Sequence, residues 1–324
     1  MRKIFLLLIV LIMVCLVGCE DSLLHQHTYS DQWSSDENGH WHASDCEHAG
    51  LESDRSVHQY GDGVPDVATD MTTYVCTVCK FEIKLPSGQV PENPIQIQCL
   101  DGTQNCYKIE GNTIIFSGIT SDSIYSISGK LQGNIIIEVA DEYQFELEMH
   151  GLELSCDYTS PIMILSGDQV TLTAKKDYVN TITDLRAAVS ENDPSQKAAT
   201  IYAACDLEIG GKGTLRVISQ YNNGIHTKDD LEVKNLALSV TCVDNALKGN
   251  DSVTIKSGSV DLTATAGDGI KTVNTDVSGK GKQRGIISII GGTVNICAAK
   301  KCLDPAFDLV VDEVNCVLNM TKYS

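Results

Sequence analysis

Two thiols separated by two residues, Cys76-Thr77-Val78-Cys79, are the first group in the chain with the spacing to hold a metal ion. A C-x-x-C turn presents two corners of a tetrahedron, and a thiol and an imidazole from an earlier loop can complete it. Here the thiol is Cys46 and the imidazole is His58; His48 is the nearest substitute, with His40 and His42 behind it. Zinc is the ion this donor set predicts, with the task of holding a small module together. A disulfide between Cys76 and Cys79 is the alternative. No βαβ pattern surrounds the motif, which argues against a redox role.

A second group of residues acquires chemistry only through repetition. Ile201, Ile225, Leu247 and Ile270 follow one another at 24, 22 and 23 residues, the first three trailed by a second apolar pair: Leu207/Ile209, Leu231/Val233 and Val253/Ile255. A third strand completes each repeat, with Leu215/Val217, Leu236/Leu238, Val260/Leu262 and, after an insertion around Lys280 to Arg284, Val294/Ile296. Short alternating strands at this period cannot each bury a face alone, but stacked coils can. The expectation is therefore an all-β chain, a parallel β-helix of roughly eight coils over residues 95–324. The same texture runs upstream through Ile114–Phe116, Tyr125–Ile127, Ile135–Ile137 and Phe145–Leu147.

Stacking at about 4.8 Å turns equivalent residues into columns. One column reads Asn222, Asp244, Gly267; its neighbour reads Asn223, Asn245, Asp268; a third pairs Asp229 with Asp251, beside Asp230 and Asn250. Two carboxylates at that spacing repel by roughly 3–4 kcal/mol at an effective dielectric near 20. Calcium, which takes six to eight oxygens at flexible angles, fits Asn223, Asp229, Asp244, Asn245, Asp251 and Asp268. Ordinary Asn and Asp turn chemistry is the alternative. With Ile225, Leu247 and Ile270 facing inward, His226, Lys248 and Lys271 face outward as a cationic ladder suited to uronate carboxylates. The blander reading pairs those lysines with the neighbouring acids.

The segments Asn222-Asn223-Gly224-Ile225-His226-Thr227-Lys228-Asp229-Asp230-Leu231, Val243-Asp244-Asn245-Ala246-Leu247-Lys248-Gly249-Asn250-Asp251 and Gly267-Asp268-Gly269-Ile270-Lys271 resemble the coils of a bacterial carbohydrate-binding β-helix family. The resemblance covers approximately residues 100–305. It implies a right-handed, pectate-lyase-like solenoid that binds calcium and acidic polysaccharide. This chain departs from the pattern at Asn222-Asn223 and at Lys301-Cys302-Leu303-Asp304-Pro305. The stretches His27-Thr28-Tyr29-Ser30, His40-Trp41-His42-Ala43 and Cys46-Glu47-His48, with the C-x-x-C turn, resemble small zinc-ribbon-like repeats of bacterial surface proteins.

Composition sets the boundaries. Six of the eight histidines and both tryptophans lie between His25 and His58, and residues 85–94 hold three of the seven prolines. The expected division is a signal peptide at 1–19, a small Cys/His module at 20–85, a linker at 86–94 and the β-helix at 95–324. Arg2 and Lys3 precede an apolar run from Ile4 to Val14, a secretory pattern. Leu16-Val17-Gly18-Cys19 resembles a lipobox, which implies a diacylglycerol on the Cys19 thiol and an extracytoplasmic chain tethered to the membrane through that lipid alone. Eleven further cysteines, an odd number, do not imply a disulfide framework; Cys99 with Cys106 is the one close pair placed to bridge.

A net charge of −19 disfavours nucleic acid as a partner. No G-x-S-x-G, phosphate-binding glycine loop or H-E-x-x-H occurs. Surface-tethered, non-catalytic binding of acidic, polygalacturonate-like polysaccharide is the leading expectation. A uronate-specific lyase and an adhesive surface protein are the alternatives. A lyase needs an Arg or Lys beside the metal to take a proton, and neither Arg216 nor Arg284 sits in an evident cluster of acids. Tyr158, Tyr202 and Tyr221 are the rings available to stack on sugars.

Overall fold

In the computed structural model, the described residues are 27–46, 50–56, 58, 60–91, 95–187, 199–312 and 315–320. Cys19 and His48, and with them the signal and lipid expectations, lie outside this set. Among the described residues every regular element is a strand. The chain divides into two compact units after Ser56.

The first unit is an antiparallel three-stranded sheet of Tyr29–Asp36, Gly39–Ser44 and Glu52–Ser56. Its first hairpin turns on Asp36, whose Oδ1 accepts the N–H groups of Asn38 and Gly39 at 2.8 and 3.0 Å. This is the local Asx chemistry that makes acid-then-glycine sequences turn.

The second unit opens with another antiparallel sheet, Val64–Asp66, Met71–Val75 and Glu82–Pro86. Beyond it the chain builds stacked repeats. Ile201, Ile225, Leu247, Ile270 and Leu303 pair in parallel, one above the next. Leu207, Leu231, Val253, Ile287 and Leu309 do the same on a second face. Leu215, Leu238, Val260, Val294 and Cys316 do so on a third. The faces carrying Leu207 and Leu215 merge at one long strand, Gln144–Cys156, whose two halves pair with different neighbours.

The expected register is met on the first two faces and corrected on the third. There the second repeat reads Leu238/Val240 in place of Leu236/Leu238. Leu236 follows Asn235, which turns through a positive φ of 64°, and lies buried before the strand begins. Both leucines satisfy an alternating pattern, so hydrophobicity alone could not separate them.

The repeats send their inward side chains into one continuous core that runs as far as Ile296 and Cys302, where Ile164, Leu172, Ile201, Ile209, Val217, Ile225 and Leu247 are fully buried; Leu309 and Leu318 of the last repeat stand exposed at the open edge. Each such side chain contributes about 1.5–3 kcal/mol of transfer free energy. At the first edge, Tyr107–Glu110 and Gln96–Asp101 pair antiparallel with Thr113–Ile119 and Ser123–Gln132. There Phe116, Tyr125 and Phe145 pack ring against ring at 5.2–5.8 Å. Antiparallel strands here satisfy the edge that a parallel stack would otherwise leave open. Gly211 marks how tightly repeats approach: its φ is +113°, and a Cβ there would lie 2.0 Å from the Ala174 carbonyl oxygen.

The one close pair of cysteines with a spacing that could bridge does not do so. Cys99 and Cys106 are both thiols, the first beside the Asp101 and Thr103 carbonyls and the second beside the Gln104 and Gly118 carbonyls. Cys205, Cys242 and Cys302 are buried packing residues, and burial pushes the Cys205 and Cys242 thiols up to about 12.

Candidate functional site

The strands Ala199–Ala203, Asn223–Thr227, Leu247–Gly249 and Ile270–Lys271 carry an outward column. Its members pair in the order Met163, Tyr202, His226, Lys248, Lys271 and Asp304. The predicted ladder of His226, Lys248 and Lys271 is therefore stacked, but its three rungs differ in charge state. Lys271 Nζ lies 2.9 Å from Asp268 and 2.7 Å from Asp304, so it is neutralised on both sides. His226 is largely buried, and desolvation together with the Lys248 charge holds its imidazole down to about 4. It is neutral at pH 7, and its Nε2 meets the Asn250 amide oxygen at 3.1 Å. Lys248 forms no ion pair with any described residue. Burial pushes its ammonium down, the Asp244 charge opposes that, and Lys271 adds to it.

On one side of this column lies the predicted Asn223, Asn245, Asp268 column, buried throughout. The Asn223 amide oxygen accepts from Asn245 N at 3.1 Å and from Asn245 Nδ2 at 2.7 Å. Asn245 Oδ1 accepts from Asp268 N at 3.2 Å, and Asp268 Oδ1 accepts from Lys301 N at 3.0 Å. Each side chain thus spans one repeat to the next and satisfies a turn N–H that would otherwise be buried unpaired. Asp244 Oδ2 is tied to Asn245 Nδ2 at 2.8 Å. Gly267 ends the adjoining column for a steric reason, since a Cβ there would lie 2.3 Å from the Asp244 carbonyl carbon.

On the other side lies an open cavity of about 740 Å³ lined by Asp141, Asp168, Asp206, Asp229, Asp230 and Asp251. Asp229 and Asp251 belong to stacked turns, Asp251 N donating to Asp229 O at 3.2 Å. Asp206, Asp229 and Asp230 each bring a carboxylate oxygen within 4.8 Å of the others. Desolvation, a hydrogen bond with Asp251 and the neighbouring acids push the Asp229 carboxyl up to about 6. Asp206 is raised too, chiefly by burial.

The expectation that Arg284 stands apart from acids is wrong. Residues 274–284 fold back over the cavity, bringing Arg284 Nε to 2.5 Å from Asp251 and Lys282 Nζ to 2.5 Å from Asp230. Asp251 also accepts from the Asn274 amide. Part of the acid repulsion is thus offset by the chain's own cations. Six carboxylates against Lys280, Lys282 and Arg284 still leave an excess of oxygens suited to a hard divalent ion. Nothing periodic announced the fold-back, because Lys282 and Asp230 are 52 residues apart.

Asp229 yields a pH signature. Its folded carboxyl titrates near 6 against an ordinary value near 4, so its contribution favours folding fully below about pH 4 and is lost as pH rises through 6. In chelator, the Asp229→Asn variant is expected to lose that part of the pH slope in thermal melts and to melt higher than the parent at pH 7.5. Identical slopes in the two proteins would contradict the clustering of charge at Asp229.

The rings expected to stack on sugars are mostly occupied. Tyr202 is buried and Tyr221 lies under the Arg186 guanidinium at 4.3 Å. Tyr158 is exposed, its hydroxyl donating to Asn134 Oδ1 at 2.9 Å. Of the predicted zinc ligands, His58, Cys76 and Cys79 fall in the second unit, with Cys79 Sγ 3.3 Å from His58 Nδ1. Cys76 and Cys79 do not form the alternative disulfide. Cys46 falls in the first unit, its Sγ 3.6 Å from His27 Nδ1.

A family model described as carbohydrate-binding domain-containing protein matches residues 110–324, and the chain belongs to that family. A relative in Acetivibrio thermocellus, also described as a carbohydrate-binding domain-containing protein, is 36% identical over 117 residues. That match covers 36% of this chain and 41% of the relative, so the chain spans less than half of that protein's length. Among solved structures, the chain is similar to a polysaccharide lyase-like protein from C. thermocellum, determined as a gadolinium derivative. The TM-score is 0.57 at 28% identity, covering 68% of this chain and 92% of that one.

Proposed function

We propose that the second unit is a right-handed parallel β-helix that binds acidic, polygalacturonate-like polysaccharide without cleaving it. We further propose that calcium at the acid cavity supports this binding, and that a lipid on Cys19 tethers the chain outside the cytoplasm. The observation that carries the reading is Lys248, a half-buried ammonium with no ion-pair partner among the described residues, standing in an outward column. Burial without a counter-charge raises the energy of an ammonium, and a ligand carboxylate supplies what is missing. Membership of a carbohydrate-binding family supports a glycan as the source of that carboxylate. The clustered carboxylates of Asp206, Asp229 and Asp230, with Asp251 on the same cavity, support calcium as the ion there.

Affinity electrophoresis in gels containing polygalacturonate tests this reading. Retardation is expected in calcium and is expected to weaken with chelator; mobility equal to that in a plain gel would overturn it. One observation favours lyase chemistry as a second reading: Arg284 stands at the rim of the acid cavity. Desolvation lowers this guanidinium, yet the Asp251 and Asp276 charges hold it above its ordinary value, so to take a proton there it would first have to leave both. Rising ultraviolet absorbance from an unsaturated product, abolished by Arg284→Gln, would establish the lyase in place of the binder.

A further inference from the structure

The geometry points to a zinc site at the C-x-x-C turn, built from Cys76, Cys79 and His58 and separate from the glycan-binding column. The turn has the shape of a metal knuckle. Cys76 N donates to Phe81 O at 2.8 Å, and Lys80 N returns to Cys76 O at 3.1 Å. Lys80 takes a positive φ of 66°, which lets the chain double back directly after the second thiol. Strands Met71–Val75 and Glu82–Pro86 pair on either side and fix the base of the turn.

His58 enters from the preceding segment, positioned by the Phe81 ring stacked on it at 4.5 Å and 7°. Tyr60, two residues on, bridges to Cys76 through the backbone. His58 and Cys76 are buried and Cys79 is partly exposed, so two donors are desolvated while the third leaves a route of entry. The three donor atoms lie within 4.8 Å of one another. A tetrahedral ion with metal–sulfur and metal–nitrogen bonds near 2.3 and 2.05 Å places sulfur and nitrogen about 3.6 Å apart. Cys79 Sγ and His58 Nδ1 stand at 3.3 Å, already near that separation.

Two thiols and an imidazole select zinc over the hard ions suited to the acid cavity. Binding is balanced simply: the ion replaces the two thiol protons, which pass to solvent, and takes the lone pair of His58 Nδ1. No oxidant or reductant is involved. The ion's role is to hold a three-stranded sheet whose own apolar core is small.

The full chain, purified with its thiols reduced, is titrated with Co²⁺ alone and then with Zn²⁺ alone. One equivalent of Co²⁺ is expected to give the visible bands of a tetrahedral ion and thiolate-to-metal charge transfer, with Zn²⁺ displacing it. Cys76→Ser and Cys79→Ser are each expected to weaken zinc binding by at least about a hundredfold, beyond the loss from an outer-shell change. Cys106→Ser is expected to leave binding unchanged. The His58→Cys variant guards against a folding artefact: it retains the metal and gains charge-transfer intensity from a third thiolate, which a merely structural His58 would not produce. Absence of charge transfer at one equivalent with Cys76 and Cys79 reduced would overturn the site. So would an unchanged spectrum in the double serine variant.

Discussion

Replacing Arg186 with Met is expected to cost about 3–5 kcal/mol of folding stability, the range for removing one partner of a buried ion pair. Arg186 Nε and Nη2 reach the two Asp184 oxygens at 2.9 and 2.5 Å, and both side chains are almost wholly excluded from solvent. The guanidinium also donates to Ala199 O at 3.2 Å and lies over the Tyr221 ring. It therefore ties the end of strand Val179–Asp184 to the start of Ala199–Ala203, the strand that carries Tyr202 into the outward column. Truncation strips the buried Asp184 carboxyl of its counter-charge and leaves it with the Arg186 backbone N–H, which donates to Oδ1 at 3.1 Å. The double variant Asp184→Leu/Arg186→Met removes both charges and is expected to recover most of the loss, as apolar replacements of buried pairs do. Urea denaturation of the two variants separates the cases; equal destabilisation by both would show that packing, not the pair, holds this corner.

The second large effect concerns Lys248. A charge-assisted hydrogen bond to a carboxylate contributes about 1.5–3 kcal/mol, so Lys248→Ala is expected to weaken polygalacturonate binding by about tenfold to a hundredfold. Lys248→Glu is expected to abolish it, because the new carboxylate repels the ligand and faces Asp244. Lys271→Ala is expected to do far less, since Lys271 is already committed to Asp268 and Asp304. The contrast between the two lysines is diagnostic. A diffuse electrostatic attraction would respond equally to either charge, and equal losses would place binding elsewhere.

These two lysines also show what can be read from the chain alone. The inward column of Ile225, Leu247 and Ile270 could be aligned because a one-residue slip would turn every apolar side chain outward. Once that column is placed, His226, Lys248 and Lys271 must face out. Their charge states could not be read in the same way. The partner of Lys271 sits partly at Asp304, where a 33-residue gap breaks the period, and the burial of His226 depends on tertiary packing.

The Asn223, Asn245 and Asp268 column was visible as a column, yet whether its oxygens face an ion or the next repeat's N–H is a matter of side-chain direction. The fold-back of residues 274–284 onto Asp230 and Asp251 left no signal, since an irregular insertion has no register to extrapolate. In the C-x-x-C segment, spacing singled out only Cys76 and Cys79; His58 was one of several imidazoles within reach, and its closeness to the two thiols is a product of tertiary packing.

Isothermal titration of the wild-type chain with a galacturonate oligomer, set against a neutral glucose oligomer of the same length, tests the binding claim most directly. Saturable binding of the acidic oligomer alone, strengthened by calcium, is the expected result. Equal affinity for the neutral oligomer, or heat of binding for neither, would contradict it.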